Sequence, residues 1–335
     1  MMAHFYLAFP RLRRRRAIFV AAGMLFQTMA LVLLVLLGAD GVAADTPPAA
    51  ERLSLTTSDG VSLAAWYYPV AGETVPRATV IVVHDLGGSH ETIEPFSRGL
   101  QAAGYAVVAP DLRGHGGSVA STGAANRAGG LDANSLRRPD MLAIAASAGG
   151  RIRDQAQARG DLETVYRWVE EQAETGTLKS DRLCIVGCGE GGTLATLWTV
   201  ADASWPPTTR GAQGGRVRAI VLISPAWVAK GGVSILPALK TDVFRRRLPI
   251  LLLSGSHDTD AKKLTEQFKA LRPKEWMVQG PGQVREQADG LAKSADASIF
   301  CMHADSPLSA DKLASDATAK APGIVASFFD LVLDR

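Results

Sequence analysis

The sequence predicts an α/β fold in which a mostly parallel sheet of about eight strands carries helices on both faces. Short apolar runs alternate with helix-like segments over most of the chain, the pattern that parallel strands joined by helical crossovers produce. The run A-T-V-I-V-V at Ala78–Val83 is almost entirely apolar, as expected for a strand buried on both faces. With 335 residues, 47% of them hydrophobic, the chain is long and apolar enough to bury such a core.

The elements follow in order from a predicted hairpin over Glu51–Tyr68. Its two runs flank Asp59-Gly60, a dipeptide typical of tight hairpin turns. After Ala78–Val83, periodicity predicts strands at Tyr105–Ala109, Leu183–Val186, Val217–Ser224, Pro249–Leu253 and Ala297–Met302. It predicts helices at Thr92–Ala103, Asp161–Gln172, Gly192–Ala201, Asp260–Leu271 and Ile324–Leu333.

Residues 1–44 have the features of an export segment. Arg11 and Arg13–Arg16 precede an apolar run at Ala17–Ala39, and Val42–Ala44 supplies the small residues of a signal-peptidase site. The apolar run is also long enough to span a bilayer. Two outcomes stay open: a cleaved signal peptide that releases residues 45–335 as a periplasmic or secreted domain, or an uncleaved anchor that holds this domain at the membrane.

Charge and cysteine content exclude two classes of protein. The whole chain carries a net charge of +3, and residues 1–44 contain five arginines and one aspartate, so the remainder carries −1. The domain therefore lacks the basic surface of a nucleic-acid-binding protein. Three cysteines, Cys184, Cys188 and Cys301, allow at most one bridge and are too few for a disulfide framework.

Two segments depart from the simple alternation of strands and helices. Residues 119–158 are rich in alanine, glycine and arginine, which predicts an insertion containing one amphipathic helix at about Arg138–Ala146. Residues 226–247 form a cap-like stretch whose apolar side chains would line a cleft.

Three motifs follow predicted strands in sequence order: H-D-L-G-G at His84–Gly88, D-L-R-G-H-G-G-S at Asp111–Ser118, and G-C-G-E-G-G at Gly187–Gly192. Together they resemble the α/β-hydrolase superfamily, and the resemblance extends from Leu53 to the C-terminus. Dienelactone-hydrolase-like and serine-peptidase-like members share this layout. The resemblance implies hydrolysis of an ester, thioester or amide.

The third motif resembles the nucleophile elbow, a tight strand-to-helix turn whose central residue has a positive φ. The residues two positions before and after the centre must be small, because strand and helix pass closely there. Gly187 and Gly191 satisfy this condition when Gly189 is central. Centring the turn on Cys188 would place Val186 and Glu190 at the two small positions. The sequence therefore predicts a nucleophile position occupied by Gly189, with Cys188 as the alternative nucleophile.

The resemblance also implies an acid, a base and an oxyanion hole. Asp258, or its neighbour Asp260, follows the strand where the acid is expected, although an aspartate there is also a good helix N-cap. Among the histidines, His303 alone lies beyond Asp258, in the family's order of nucleophile, acid and base. The oxyanion-hole donors would be the backbone N–H groups of Leu86 and Glu190.

The predicted function is that of an impaired α/β hydrolase with a retained cleft for a small ester-like substrate or ligand. A carboxylate at Asp85, where glycine is usual, would oppose the negative charge of acyl transfer. The open alternatives are an active hydrolase that uses Cys188 or an unrecognised serine such as Ser118 or Ser256, and a ligand-binding or interaction protein. No cofactor is implied, and the spacing of His84, Asp85 and His90 matches no metal-ligand pattern. If Asp258 and His303 form an acid and base pair, Gly189→Ser is expected to create weak esterase activity.

Overall fold

A computed structural model describes residues 47–72, 75–119, 132–145, 160–205, 209, 214–245, 248–279 and 297–334. The predicted export segment lies outside the described residues, as do residues 120–131 and 146–159 of the predicted insertion. Within the described ranges, no helix combines the length and the apolar character needed to cross a bilayer.

The described residues form a nine-stranded, mostly parallel sheet, which confirms the predicted fold class. Its strands are β1 Glu51–Thr56, β2 Ser62–Tyr68, β3 Thr79–Val83, β4 Ala106–Pro110, β5 Leu183–Cys188, β6 Val217–Ile223, β9 Ile250–Ser254, β10 Trp276–Gln279 and β11 Ile299–His303. Their spatial order is β1-β2-β4-β3-β5-β6-β9-β11-β10. The pairings β1–β2 and β2–β4 are antiparallel, and all the other pairings in this sheet are parallel.

Helices cover both faces of this sheet. They are α1 His90–Ala102, α2 Arg138–Ile144, α3 Asp161–Glu174, α4 Glu190–Ala203, α5 Leu236–Leu239, α6 Asp242–Arg245, α7 Thr259–Leu271, α8 Ala310–Ser315 and α9 Ala321–Leu333. Strand β3 shows how the two layers meet: Ile81 and Val83 pack in the apolar cluster that contains α3, α4 and α7, whereas Val80 and Val82 pack in the cluster that contains α1, α8 and α9. The entirely apolar character of the Ala78–Val83 run therefore reflects burial on both faces.

The turn after β4 is fastened to the rest of the domain by Arg113. This nearly buried guanidinium forms ion pairs with Asp161 at 2.7 Å and with Asp59 at 2.7 Å. Asp59 lies in the predicted hairpin turn, where Gly60 has a φ of 81°. The second motif thus ties the β1–β2 hairpin to the start of α3.

The two irregular segments contact each other. The cap-like segment contains the short antiparallel strands β7 Val228–Ala229 and β8 Val233–Ser234, followed by α5 and α6. Helix α2 confirms the helix predicted inside the insertion, and Arg138 Nη1 donates to the carbonyl oxygen of Gly232 at 2.6 Å. Helix α2 is therefore connected to the turn between β7 and β8.

Candidate functional site

The turn between β5 and α4 has the geometry of a nucleophile elbow centred on Gly189. Gly189 has φ 53° and ψ −125° and caps the N-terminus of α4. Its N–H donates to the carbonyl oxygen of Ile223 on β6 at 2.9 Å, which fixes the turn against the neighbouring strand. The predicted positive φ at Gly189 is confirmed.

The flanking glycines are required by close packing, as the elbow register predicts. A Cβ at Gly187 would lie 2.5 Å from the Cα of Gly192. A Cβ at Gly191 would lie 2.9 Å from the carbonyl oxygen of Val83 and closer still to that of His84. Because these obstacles are backbone atoms, they cannot rotate out of the way, and only glycine fits at the two positions.

His84 holds the turn after β3 in place. Its Nδ1 lies 2.6 Å from the carbonyl oxygen of Asp85, and its Nε2 accepts a hydrogen bond from Leu112 N at 3.0 Å. The ring is completely buried, and burial lowers the pKa of His84. A neutral ring with Nδ1–H donating and Nε2 accepting satisfies both contacts, so His84 links two motif turns and is not available as a base.

The side chain of Asp85 occupies the predicted oxyanion hole. Its Oδ1 accepts hydrogen bonds from Leu86 N at 2.8 Å and from Glu190 N at 2.7 Å, the two N–H groups that the family resemblance assigns to the hole. A Cβ built on Gly189 would lie 2.6 Å from Asp85 Oδ2 and closer still to Oδ1 and Cγ. The carboxylate therefore stands where a nucleophilic side chain at position 189 would begin.

A second carboxylate, Asp311 at the start of α8, lies directly behind Asp85. Its Oδ1 accepts from Asp85 N at 2.8 Å, and its Oδ2 accepts from the hydroxyl of Thr92. Burial raises the pKa of Asp85, the N–H of Glu190 opposes this rise, and the charge of Asp311 adds to it. The two carboxyl groups thus disfavour each other's ionisation.

Cys188 is completely buried and faces the same acidic pair. Burial raises the pKa of Asp311, and the neighbouring thiol of Cys188 is among the groups that oppose this rise. Burial, with the negative charges of Asp311 and Asp85, raises the pKa of Cys188 well above the usual thiol value. The other two cysteines, Cys184 and Cys301, are also buried, and all three are free.

Asp258 and His303 are not joined by a hydrogen bond in the described part of the chain. Asp258 caps α7, where its Oδ1 accepts from Ala261 N at 2.8 Å. His303 ends β11, and its Nδ1 lies 2.7 Å from the Oγ of Ser254 on β9. Burial lowers the pKa of His303, Lys262 adds to this effect, and the negative charge of Asp258 opposes it. Asp258 lines the cleft above the elbow, whereas His303 is not among the residues of its wall.

The cleft has a volume of about 580 Å³. Its wall includes Asp85, Leu86, Gly189 and Glu190 from the elbow side, and Asp258 and Asp260 from the start of α7. Ser118 and Ser256, the serines named as alternatives, lie off this wall. The hydroxyl of Ser118 donates to the carbonyl of Asp111 at 2.7 Å, and that of Ser256 donates to the carbonyl of Ser306 at 3.1 Å.

Two residues of this site are not predicted from the sequence. Asp311 lies 226 residues from Asp85, and no local pattern relates them. Ser224 directly follows β6, beside the elbow, and lines the cleft. Its φ of 47° is an unusual value for a residue other than glycine. The dipeptide Ser224-Pro225 at a predicted strand end was a signal for a turn but not for this conformation.

Comparisons with known proteins agree with the observed fold. The family model for serine aminopeptidases, S33, matches residues 74–285. Among solved structures, EstE1, a carboxylesterase cloned from a metagenomic library, is 16% identical, with 87% of this chain and 92% of that chain covered and a TM-score of 0.51. A putative dienelactone hydrolase from Klebsiella pneumoniae is 17% identical, with coverages of 86% and 100% and a TM-score of 0.50.

An esterase from Pyrobaculum calidifontis is 13% identical, with 88% of each chain covered and a TM-score of 0.50. At such identities the likeness shows a shared fold. A comparison with curated protein sequences finds no match. Because the family model covers more than half of the sequence, the chain belongs to the serine aminopeptidase family S33 of the α/β hydrolases.

Proposed function

We propose that this chain is a catalytically impaired α/β hydrolase whose cleft is retained for binding a small molecule. The observation that carries the proposal is the position of Asp85, whose carboxylate accepts both N–H groups of the predicted oxyanion hole. Position 189 has no side chain that could attack a carbonyl carbon.

Acyl transfer requires the two N–H groups for another oxygen. In the tetrahedral intermediate, the former carbonyl oxygen becomes negative and must be stabilised by preorganised donors. At this site the donors already serve a carboxylate, and a second negative oxygen beside Asp85 would be repelled. Removing one such donor from a working hydrolase lowers the rate roughly a hundredfold or more, and here both donors are hydrogen-bonded to Asp85.

Other nucleophiles receive little support from the geometry. The reactive form of a cysteine is the thiolate, and Cys188 combines complete burial with a raised pKa. His257 lies on the cleft wall and is exposed, but it makes no hydrogen bond to a serine, threonine or cysteine among the described residues. The hydroxyl of Ser254 does contact a histidine, His303, at 2.7 Å, but Ser254 is completely buried and neither residue lines the cleft. Among the described residues of the cleft wall, no nucleophile and base are in contact, and such a contact is the usual sign of covalent catalysis.

The proposal also concerns the cellular location of the protein. The arginines, the apolar run and the small residues within positions 1–44 support export, followed by cleavage after Ala44 or by retention at the membrane. In both cases the cleft would meet molecules outside the cytoplasm.

The full-length protein is expected to hydrolyse p-nitrophenyl butyrate no faster than buffer, because it lacks both a nucleophile and a free oxyanion hole. It is also expected to form no adduct with a fluorophosphonate probe. The measurement is absorbance-monitored turnover followed by mass spectrometry of intact protein and of its peptides.

Two controls make this negative result informative. An active serine hydrolase in the same assay shows that the probe and ester work. Iodoacetamide should leave Cys188 unmodified in folded protein and modify it after denaturation, because only the fold hides the thiol. A serine adduct on the cleft wall, or ester turnover abolished by Cys188→Ala, would establish an active enzyme and overturn the proposal.

A further inference from the structure

Strand β1 forms one edge of the nine-stranded sheet. Among the described residues, it pairs with β2 alone, and no backbone hydrogen bond reaches its outer side. Arg52, Ser54 and Thr56 are exposed, whereas Leu53 and Leu55 are partly buried. An edge of this kind offers unpaired N–H and C=O groups to a further strand.

The contacts of Ala64 show which backbone groups of β1 face outward. Ala64 on β2 lies opposite Ser54. Its N–H donates to Ser118 Oγ at 2.9 Å and its carbonyl oxygen accepts from Asp111 N at 2.9 Å, both on the side of β2 that faces β4. The N–H and C=O of Ser54 therefore have no partner on β2 and point to the outer side. Because this orientation alternates along an antiparallel ladder, the same groups two residues before and two residues after Ser54 point outward as well.

This edge lacks the features that usually prevent two sheets from joining. Proteins protect free edges with lysine, proline, a bulge or a covering segment. Residues 51–56 contain no lysine or proline, and their register with β2 has no shift. The guanidinium of Arg52 lies 5.8 Å from the centre of the Trp66 ring, so its charge lies over β2 and not beyond the edge. The outward-facing groups of β1 are therefore open to another strand.

We propose that a second copy of this chain pairs with the outer side of β1, antiparallel and about a two-fold axis at Ser54. In this register, Ser54 lies opposite Ser54 of the other copy, and Arg52 lies opposite Thr56. All the outward-facing residues of the strand then exchange backbone hydrogen bonds. Because both copies use the same edge, the contact is self-complementary and gives a closed dimer with one continuous sheet.

The side chains of β1 favour a second copy in this register. Leu53 and Leu55 pack against the apolar cluster that contains α3. Leu53 of each copy would lie opposite Leu55 of the other, at the close spacing of a pair without hydrogen bonds, so the apolar layer would continue across the edge. Arg52 would lie opposite the neutral Thr56, and no like charges would meet. A shift of two residues would instead place Glu51 opposite Leu55.

The proposed contact lies away from the cleft. Three strands, β2, β4 and β3, separate β1 from β5, whose end carries the elbow. The pairing therefore goes beyond the proposed function, and a failure of either one leaves the other standing.

Sedimentation velocity of the full-length protein, in a mild non-ionic detergent that keeps the apolar run of residues 1–44 in solution, tests the proposal. We expect wild type to sediment as a dimer. Ser54→Pro should weaken the dimer at least about tenfold, because proline has no N–H to donate at the two-fold axis. The variant should still fold, since β2 does not use this N–H and edge strands tolerate proline at such positions. Ser54→Ala keeps the N–H, so this matched control should remain dimeric.

Disulfide cross-linking tests the register. Ser54→Cys places two thiols opposite each other across the axis, at a Cα spacing of about 5.5 Å, which suits a disulfide. Oxidation should therefore give a covalent dimer of this variant. Thr56→Cys should not cross-link, because its two thiols would lie about 13 Å or more apart along the strands. The native cysteines, Cys184, Cys188 and Cys301, are buried and should give no background.

Three results would overturn the inference. A monomeric wild type would mean that the edge is unpaired or covered by this chain itself. A folded Ser54→Pro variant that dimerises as well as wild type would mean that the copies meet elsewhere. Cross-linking of Thr56→Cys as readily as Ser54→Cys would exclude the two-fold register. If Ser54→Pro fails to fold, the comparison of the two cysteine variants decides.

Discussion

Gly189→Ser is expected to lower the free energy of unfolding by about 2–4 kcal/mol, the combined cost of two conflicts. A side chain at a φ of 53° costs on the order of 1 kcal/mol or more. The new Cβ would also overlap the carboxylate of Asp85, and overpacking of this kind costs about 1–3 kcal/mol. Urea unfolding followed by tryptophan fluorescence measures the loss.

The overlap with Asp85 predicts strong coupling between the two positions. In an Asp85→Ala background, Gly189→Ser should cost only about 1 kcal/mol, because the obstructing carboxylate is gone and only the backbone strain remains. Gly176→Ser is the matched control, since Gly176 has a φ of 81° and nothing lies within 4 Å of an added Cβ. Additive effects of Gly189→Ser and Asp85→Ala would show that the carboxylate does not stand at the elbow.

The same geometry changes the activity expected of Gly189→Ser. The sequence predicts weak esterase activity on the condition that Asp258 and His303 act as acid and base. In the structure, His303 contacts Ser254 and does not line the cleft. We therefore expect Gly189→Ser to stay inert even when Asp85→Ala restores its stability, because a serine without a neighbouring base is a weak nucleophile.

Gly191→Ala should be more damaging, with a loss of about 3 kcal/mol or more in the free energy of unfolding. Its Cβ would press on the carbonyl oxygens of Val83 and His84, which belong to the sheet and the turn after it and cannot move aside. Thermal and urea unfolding of the purified variant, or its failure to accumulate as folded protein, measures the effect.

Gly323→Ala provides the contrast for this prediction. Gly323 is exposed in α9, and an added Cβ would meet nothing within 4 Å. Alanine is the better helix former, so this variant should be stabilised by about 0.5–1 kcal/mol. If Gly191→Ala were tolerated as well as Gly323→Ala, the turn between β5 and α4 would not pack as tightly against β3 and the turn after it as described above.

The sequence predicts the backbone of the site better than its side chains. Positions 187 and 191 need small residues because strand and helix pass closely there, so the elbow register can be inferred from neighbouring residues. Two motif turns follow predicted strands, so the donors Leu86 N and Glu190 N can be inferred in the same way. The sequence also marks Asp85 as a departure from glycine. It does not show that this carboxylate turns inward to accept both donors.

Long-range contacts account for what the sequence leaves undetermined. The orientation of Asp85 depends on its contact with Asp311, which the chain brings back only after β11. Strand β10 and helix α8 are short, and single-sequence periodicity is weak at such lengths. The partner of His303 is set by the register of β11 on β9, in which His303 lies opposite Ser254.

The central claim is that Asp85 fills the oxyanion hole, and an NMR pH titration of the Leu86 and Glu190 backbone amides tests it most directly. Burial raises the pKa of Asp85, so both amide protons should titrate with a shared midpoint above the ordinary aspartate value. Protonation removes the charge that strengthens the two hydrogen bonds, so both signals should move upfield as the pH falls. Asp85→Asn should abolish the shared transition, and Asp258→Asn should preserve it. Amide signals that keep this transition in Asp85→Asn, or that show none in wild type, would contradict the claim.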